Sequence, residues 1–409
     1  MDTAEQRAES EEWLEPRYEG GSNLNLVASL AQHFGVHTGH PPLAWELPLE
    51  RCEVVVLLIA DGLGYHQLQG HLDGGDMPFL QRALATRWVG CAAATTVFPS
   101  TTATALTSLH CGTTPAAHGM LGYTVWLPQE GTVAELLRLW DMVADRPLRA
   151  PEQLVTVPSL YRRLAAQGVK CAVVAPGAHR GSHLSRWWFE GATYLPYDTA
   201  ASIPSLVAGA VTERYRYVVA YWPGYDLVCH RFGPRSRAAA DEAAALDLAL
   251  ARLVDGVGRL RRGLVVVVAD HGQRELEPGQ AVALHHDATL APWLASPPAG
   301  ERCGRFLRLR AGAMPEVAGH LGAVAEVRPM DDLWRRGVFG GPPARPDFRA
   351  RTGDLLVMPR GGRQLLWAFG RAGAAPGGAD PALRGGHGGC SPAEVLVPVV
   401  TLPVPSPAG

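Results

Sequence analysis

Apolar runs of strand length alternate along the chain with segments of helical spacing, and two of the runs are unbroken: Val54–Ala60 and Leu264–Ala269. Runs this short and this apolar suit strands buried on both faces, as in the middle of a parallel sheet. The pattern predicts helices over Leu24–Phe34, from about Met77 to Ala85 with Pro78 in the first turn, and over Ser159–Gln167, where Gly168 stops the helix. Further helices are predicted over Pro204–Arg214 and the long Ala-rich Ser236–Leu260, with strands over Lys170–Ala175 and Tyr217–Tyr221. Helix-then-strand units in this order predict an α/β fold, a three-layer α/β/α sandwich around a largely parallel central sheet. After Gly272 the texture changes, and residues 273–385 are richer in Gly, Pro and Arg. Strand-like pieces there are Gly304–Leu309, Asp354–Met358 and Gln364–Phe369, and helical ones Pro315–Leu321 and Met330–Arg336. Residues 285–345 are read as a small inserted cap, after which Glu394–Leu402 returns to the main sheet. Residues 1–22 are read as a flexible tail, leaving 23–409 as one domain.

Composition narrows the class. The chain has 409 residues, 47% apolar and 19% charged, as an ordinary globular protein does. A formal net charge of −2 argues against a nucleic-acid polymer as partner. The first twenty residues are acidic and lack an apolar core, so they read as neither a signal peptide nor an anchor. No apolar run approaches the roughly 20 residues of a membrane span, so no membrane partner is expected. Seven cysteines (52, 91, 111, 171, 229, 303 and 390) form no CxxC pair, which predicts reduced thiols and a cytoplasmic protein.

The chemistry gathers where strands are predicted to end. Val54–Ala60 runs into Asp61-Gly62, and Leu264–Ala269 runs into Asp270-His271-Gly272. The carboxyl ends of strands are where α/β sheets build their sites. Asp226 and His230 stand four apart, one helical face, after the strand-like Val218–Trp222, and a late Gly-Gly-His387-Gly-Gly follows. Oxygen and nitrogen donors of this kind suit zinc, manganese or iron. Between Thr95 and Gly119, Phe98-Pro99-Ser100 ends an extended stretch and sets Thr101 and Thr102 at a predicted helix start. Such a terminus favours a phosphate, and a metal-activated hydroxyl there is a nucleophile. The same hydroxyls also suit plain helix capping.

Taken in order, Asp61-Gly62, Phe98-Pro99-Ser100-Thr101-Thr102 with Pro115-x-x-His118-Gly119, Asp226-x-x-x-His230 with Gly233-Pro234, Asp270-His271-Gly272 and His387-Gly388 resemble the alkaline phosphatase superfamily. The likeness is greatest to its nucleotide pyrophosphatase/phosphodiesterase branch and spans about residues 53–400. The resemblance implies an alkaline phosphatase-like sandwich with two divalent metal ions, zinc by preference. Asp226, His230 and His387 would hold one, and Asp61, Thr102, Asp270 and His271 the other. It implies Thr102 as nucleophile, attacking phosphorus in line to give a phospho-threonine intermediate. The expected activity is that of a phosphodiesterase or nucleotide pyrophosphatase on a small organic phosphate ester or pyrophosphate.

Three positions depart from the family pattern. Tyr123 stands where an asparagine usually binds a phosphate oxygen, and its phenol is read as the substitute substrate contact. Ala103 replaces an aromatic that stacks on a nucleobase, and Thr101 replaces a frequent lysine. A phosphomonoesterase or phosphonate hydrolase on the same fold is the alternative, and a non-catalytic phosphate-binding protein a third. Trp126, Trp187, Trp188, Trp222 and Tyr225 read as core before cleft, and His285-His286-Asp287 as a solvated loop.

Overall fold

Residues 13–86, 88–155, 157–369 and 380–404 are described by the computed structural model of the protein. Its central sheet contains β1 (Val54–Ala60), β2 (Gly90–Thr95), β3 (Cys171–Pro176), β4 (Ala192–Tyr197), β5 (Tyr217–Trp222), β6 (Gly263–Val268) and β7 (Leu396–Val404). Their spatial order is β2-β7-β6-β1-β5-β3-β4. From β6 to β4 every pairing is parallel, whereas β7 runs antiparallel to both β6 and β2. Every side chain of β1 and of β6 is buried, as the unbroken apolar runs require. The two edge strands were not legible in the sequence. Residues of β2 and β4 are largely half-exposed, and their small or mixed side chains carry no continuous apolar signal.

The helices that matter for the site are α1 (Asn23–His33), α2 (Pro78–Leu84), α3 (Thr102–Cys111), α4 (Gly224–Phe232) and α5 (Arg237–Gly258). Along α5, Ala239, Ala243, Leu246, Leu250, Leu253 and Val257 recur every three or four residues and are buried. Asp247 lies on that same stripe. Its carboxylate accepts the backbone N–H groups of Phe79 and Leu80, each at 2.8 Å, in the first turn of α2. No side chain of α2 caps its own N-terminus, so α5 supplies the negative charge that the terminus lacks.

Part of the expected tail is ordered by contact. The Leu14 N–H donates to the Cys390 carbonyl at 2.9 Å, the Arg328 guanidinium lies 4.2 Å over the Trp13 ring, and the Tyr18 hydroxyl donates to the Val338 carbonyl. Residues 13–22 are therefore not a free tail, because their aromatic side chains have partners far along the chain. Residues 1–12 lie outside the described residues.

The cap also differs from its expected bounds. Ala299–Glu301, Gly304–Leu307, Ala325–Pro329 and Leu355–Pro359 form an antiparallel sheet over its own core, which includes Leu284, Leu290, Val317, Leu321 and Leu355. Leu355–Pro359 pairs with Gly304–Leu307 on one side and Ala325–Pro329 on the other, so a boundary at residue 345 would remove a middle strand. A second small antiparallel sheet over Thr124–Pro147 was not foreseen. It meets the cap where the Thr124 hydroxyl donates to the Gly300 carbonyl at 2.7 Å. Among the described residues no helix is long and apolar enough to cross a membrane.

Asp247→Ala strips the buried Leu80 N–H and the partly buried Phe79 N–H of their acceptor. It is expected to lower unfolding free energy by about 1–3 kcal/mol in a denaturant titration, and Asp247→Asn by less.

Candidate active site

Strand order explains why residues far apart in sequence meet. β1 lies between β5 and β6, with Ile59 level with Tyr221 on one side and Val268 on the other. Asp61 therefore leaves the sheet between Asp270, two residues past the end of β6, and Asp226, in the first turn of α4. β7 is antiparallel, so its beginning lies at this same edge, and His387 reaches the site from before it. Gly62 turns away from β1 with φ +73°, and a Cβ there would lie 3.0 Å from the Cβ of Asp226. Its N–H donates to Asp270 Oδ1 at 3.1 Å, which ties two strand ends together.

The side chains converge in two groups, Asp61 with Asp270 and His271, and Asp226 with His230 and His387. His271 donates from Nδ1 to the Gly272 carbonyl at 3.0 Å, which leaves Nε2 as an acceptor. Around that Nε2 stand Thr102 Oγ1 at 3.0 Å, Asp270 Oδ2 at 3.3 Å and Asp61 Oδ1 at 3.4 Å. In the second group His230 donates from Nδ1 to the Gly385 carbonyl at 2.9 Å and His387 from Nδ1 to that of Ser100 at 3.0 Å. Their Nε2 atoms face each other at 3.3 Å, with Asp226 Oδ2 3.3 Å from His230. The His271 and His387 rings stack with centroids 3.7 Å apart, so the two groups are adjacent.

This donor set fits cations. Asp61 Oδ1 and Asp270 Oδ2 are buried carboxylate oxygens without a hydrogen-bond partner. Both point to the same space as two oxygen- or nitrogen-bearing neighbours, and buried negative charge without compensation is costly. Burial, then the neighbouring carboxylates of Asp270 and Asp226, pushes Asp61 well above the usual carboxylate range. Burial acts the same way on Asp226, yet His230 outweighs it and holds that carboxyl low. Against its own burial, His230 is raised by Asp226 to about 9.

Thr102 begins α3, and the first-turn amides of a helix have no acceptor within it. The neighbouring hydroxyls are otherwise engaged. Ser100 donates to the Gly389 carbonyl at 2.8 Å, and Thr101 donates to the Thr104 hydroxyl at 3.1 Å. All three are buried, whereas Thr102 is partly exposed and the one that reaches His271. The side chain of Thr101 makes no capping hydrogen bond to α3. Tyr123 is half-buried, and burial followed by the charges of Glu135 and Glu301 keeps its phenol protonated as a donor.

A family model described as type I phosphodiesterase / nucleotide pyrophosphatase matches residues 55–366, well over half of the chain. The chain belongs to that family. This type I phosphodiesterase-family protein also shares its fold with solved structures. Phosphonoacetate hydrolase from Sinorhizobium meliloti 1021, in complex with phosphonoformate, superposes with a TM-score of 0.61 at 20% identity, covering 85% of this chain and 89% of that one. An inactive variant of murine ectonucleotide pyrophosphatase/phosphodiesterase 5, in complex with AMP, gives 0.62 at 16%, covering 87% and 88%. The human ectonucleotide pyrophosphatase/phosphodiesterase 5 gives 0.62 at 14%, covering 85% and 87%. No curated protein matches the sequence.

Three side chains escaped the sequence reading. The Tyr221 hydroxyl donates to Asp61 Oδ2, and the Gln273 amide donates to Asp226 Oδ1. Gln273 directly follows Asp270-His271-Gly272, so a polar group next to a predicted ligand was an available signal there, whereas Tyr221 lies inside a strand. Glu301 had no such signal, because the fold of the cap is what brings it to His387. Of the aromatics read as core, Trp126 and Trp187 are only half-buried. Trp188 is buried and donates to the Thr107 hydroxyl, Trp222 to Glu242, and Tyr225 is buried beside His71. Asp287 is engaged within the cap by His320 at 2.6 Å. His118 accepts the Met120 N–H at 3.0 Å and meets the Ser108 hydroxyl at 2.9 Å, which braces α3.

A raised folded-state pKa places the stabilising, protonated form of Asp61 below the unfolded value of 3.8, and that stability is lost as pH rises through the folded value. At neutral pH the metal-free protein therefore carries the cost of holding Asp61 buried beside Asp270 and Asp226. Asp61→Asn is expected to stabilise the metal-free protein at pH 7 by on the order of 1 kcal/mol, with the gap closing toward pH 4. Thermal melts with and without zinc read this, and a lower melting temperature in the metal-free variant at pH 7 refutes it.

Proposed function

We propose that this protein is a two-metal phosphodiesterase or nucleotide pyrophosphatase-type hydrolase acting on a small organic phosphate, with Thr102 as nucleophile. The observation that carries the reading is the placement of Thr102 Oγ1, 3.0 Å from His271 Nε2 and at the start of α3. Divalent cations, zinc by preference, would be held by Asp61, Thr102, Asp270 and His271 and by Asp226, His230 and His387, supplying Lewis-acid charge at the phosphoryl oxygens and a more acidic Thr102 hydroxyl.

The rest follows from the chain's own groups. Thr102 Oγ1 gives up its proton to solvent water and forms a bond to phosphorus as the bond to the leaving oxygen breaks, that oxygen departing with the P–O electron pair and taking up a proton from water. The product of that step is phospho-threonine, and water then attacks its phosphorus to restore Thr102. The unsatisfied amides at the start of α3 face the phosphoryl oxygens and favour their negative charge. Tyr123 offers a phenolic O–H as the further phosphate contact. Ala103 gives no ring for a nucleobase, so the organic group is not assigned to a nucleoside. Seven cysteines without a disulfide favour a reducing compartment, in keeping with a cytoplasmic enzyme.

Thr102→Ala removes the attacking oxygen while leaving six of the proposed ligands. Turnover is expected to fall by at least about 10³-fold, with bound metal close to that of the wild type by elemental analysis. Retention of full activity would falsify the nucleophile assignment. The alternative, a phosphomonoesterase or phosphonate hydrolase, separates by rate. Bis-p-nitrophenyl phosphate is expected to turn over faster than p-nitrophenyl phosphate or a p-nitrophenyl phosphonate, and a faster monoester or phosphonate reverses the choice.

A further inference from the structure

We infer that Glu301 is a positioning residue for the Asp226/His230/His387 group, acting through Nδ1 of His387 from the inserted cap. The inference rests on the metal reading above and concerns what the cap adds to it. To present a lone pair from Nε2 toward Asp226 and His230, His387 must carry its proton on Nδ1. That nitrogen donates to the Ser100 carbonyl at 3.0 Å, and Glu301 Oε2 stands 3.4 Å from it. Glu301 Oε2 is buried and makes no hydrogen bond of its own.

The approach is built in. Glu301 ends the strand Ala299–Glu301, opposite Gly304, and the Thr124 hydroxyl holds the adjacent Gly300 carbonyl at 2.7 Å. Gly388, immediately after His387, has φ +109° and no side chain. A Cβ there would lie 3.0 Å from Glu301 Cβ and 3.1 Å from its Oε2. Ser100 already fixes the orientation of the ring, so the distinct contribution of Glu301 is charge. A carboxylate behind an imidazole favours the Nδ1–H tautomer and makes Nε2 a stronger donor to a cation, and such partners typically change metal affinity by about 10–100-fold. His387 also stacks on His271 at 3.7 Å, so holding it sets the spacing between the two groups.

The test is zinc affinity rather than turnover. Full-length wild type, Glu301→Gln and Glu301→Ala are stripped of metal and titrated with Zn²⁺ against a chromophoric chelator at pH 8. Glu301→Gln keeps the shape and removes the charge, so it is expected to weaken one of two bound ions by about 10-fold or more, leave the other unchanged, and leave the metal-free melting temperature no lower. In a His387→Ala background the same substitution should add nothing. Unchanged affinity for both ions in Glu301→Gln and Glu301→Ala overturns the inference. So does a further loss in the His387→Ala background, or a lowered metal-free melting temperature with both affinities intact, which is what a purely structural contact gives. A wild type that binds fewer than two ions overturns the two-metal reading and this inference together, whereas a two-ion wild type with an indifferent Glu301→Gln overturns this inference alone.

Discussion

Three buried carboxylates at one edge of a parallel sheet are the constraint around which the rest of the site is organised. Asp61, Asp226 and Asp270 leave the sheet from β1, after β5 and after β6, and all three are buried. Like charges this close in a medium of low polarity repel strongly unless positive charge stands between them. Each nearby histidine is oriented to help. His230, His271 and His387 all send Nδ1–H to a backbone carbonyl, so all three turn Nε2 toward the carboxylates. Three imidazoles so oriented beside three carboxylates form two donor groups that could each hold a metal ion.

The same arrangement selects one hydroxyl among several. Ser100 donates its hydroxyl to the Gly389 carbonyl and Thr101 donates its own to Thr104, and Ser100 also braces the His387 loop by accepting the Gly388 N–H at 3.1 Å. Thr102 alone of these combines exposure, a helix start and contact with the histidine of one group. On the proposed reading, Thr102 is the residue that reacts and the others hold.

The cap joins the chemistry through its first strand. Its own core makes it a structural unit, yet Glu301 reaches over Gly388 to the back of His387.

Much of this was determined by the sequence itself. Apolar runs of strand length demanded burial on both faces, so β1 and β6 were legible, and Asp61, Asp270 and His271 had to lie at their ends. The i, i+4 spacing put Asp226 and His230 on one face of a helix, and the ordered motifs named the family. Half-exposed β2 and β4, the sheet over Thr124–Pro147 and the extent of the cap were not legible, because edge strands and small sheets are specified by partners rather than by local pattern. The packing of Trp13 and Tyr18 likewise depends on residues more than 80 positions away, such as Arg328 and Val338. Only the tertiary structure decided that β7 runs antiparallel and so delivers His387 to the same edge. It alone decided which atoms of Tyr221, Gln273 and Glu301 meet the ligands, since those contacts are made across the sheet and not along the chain.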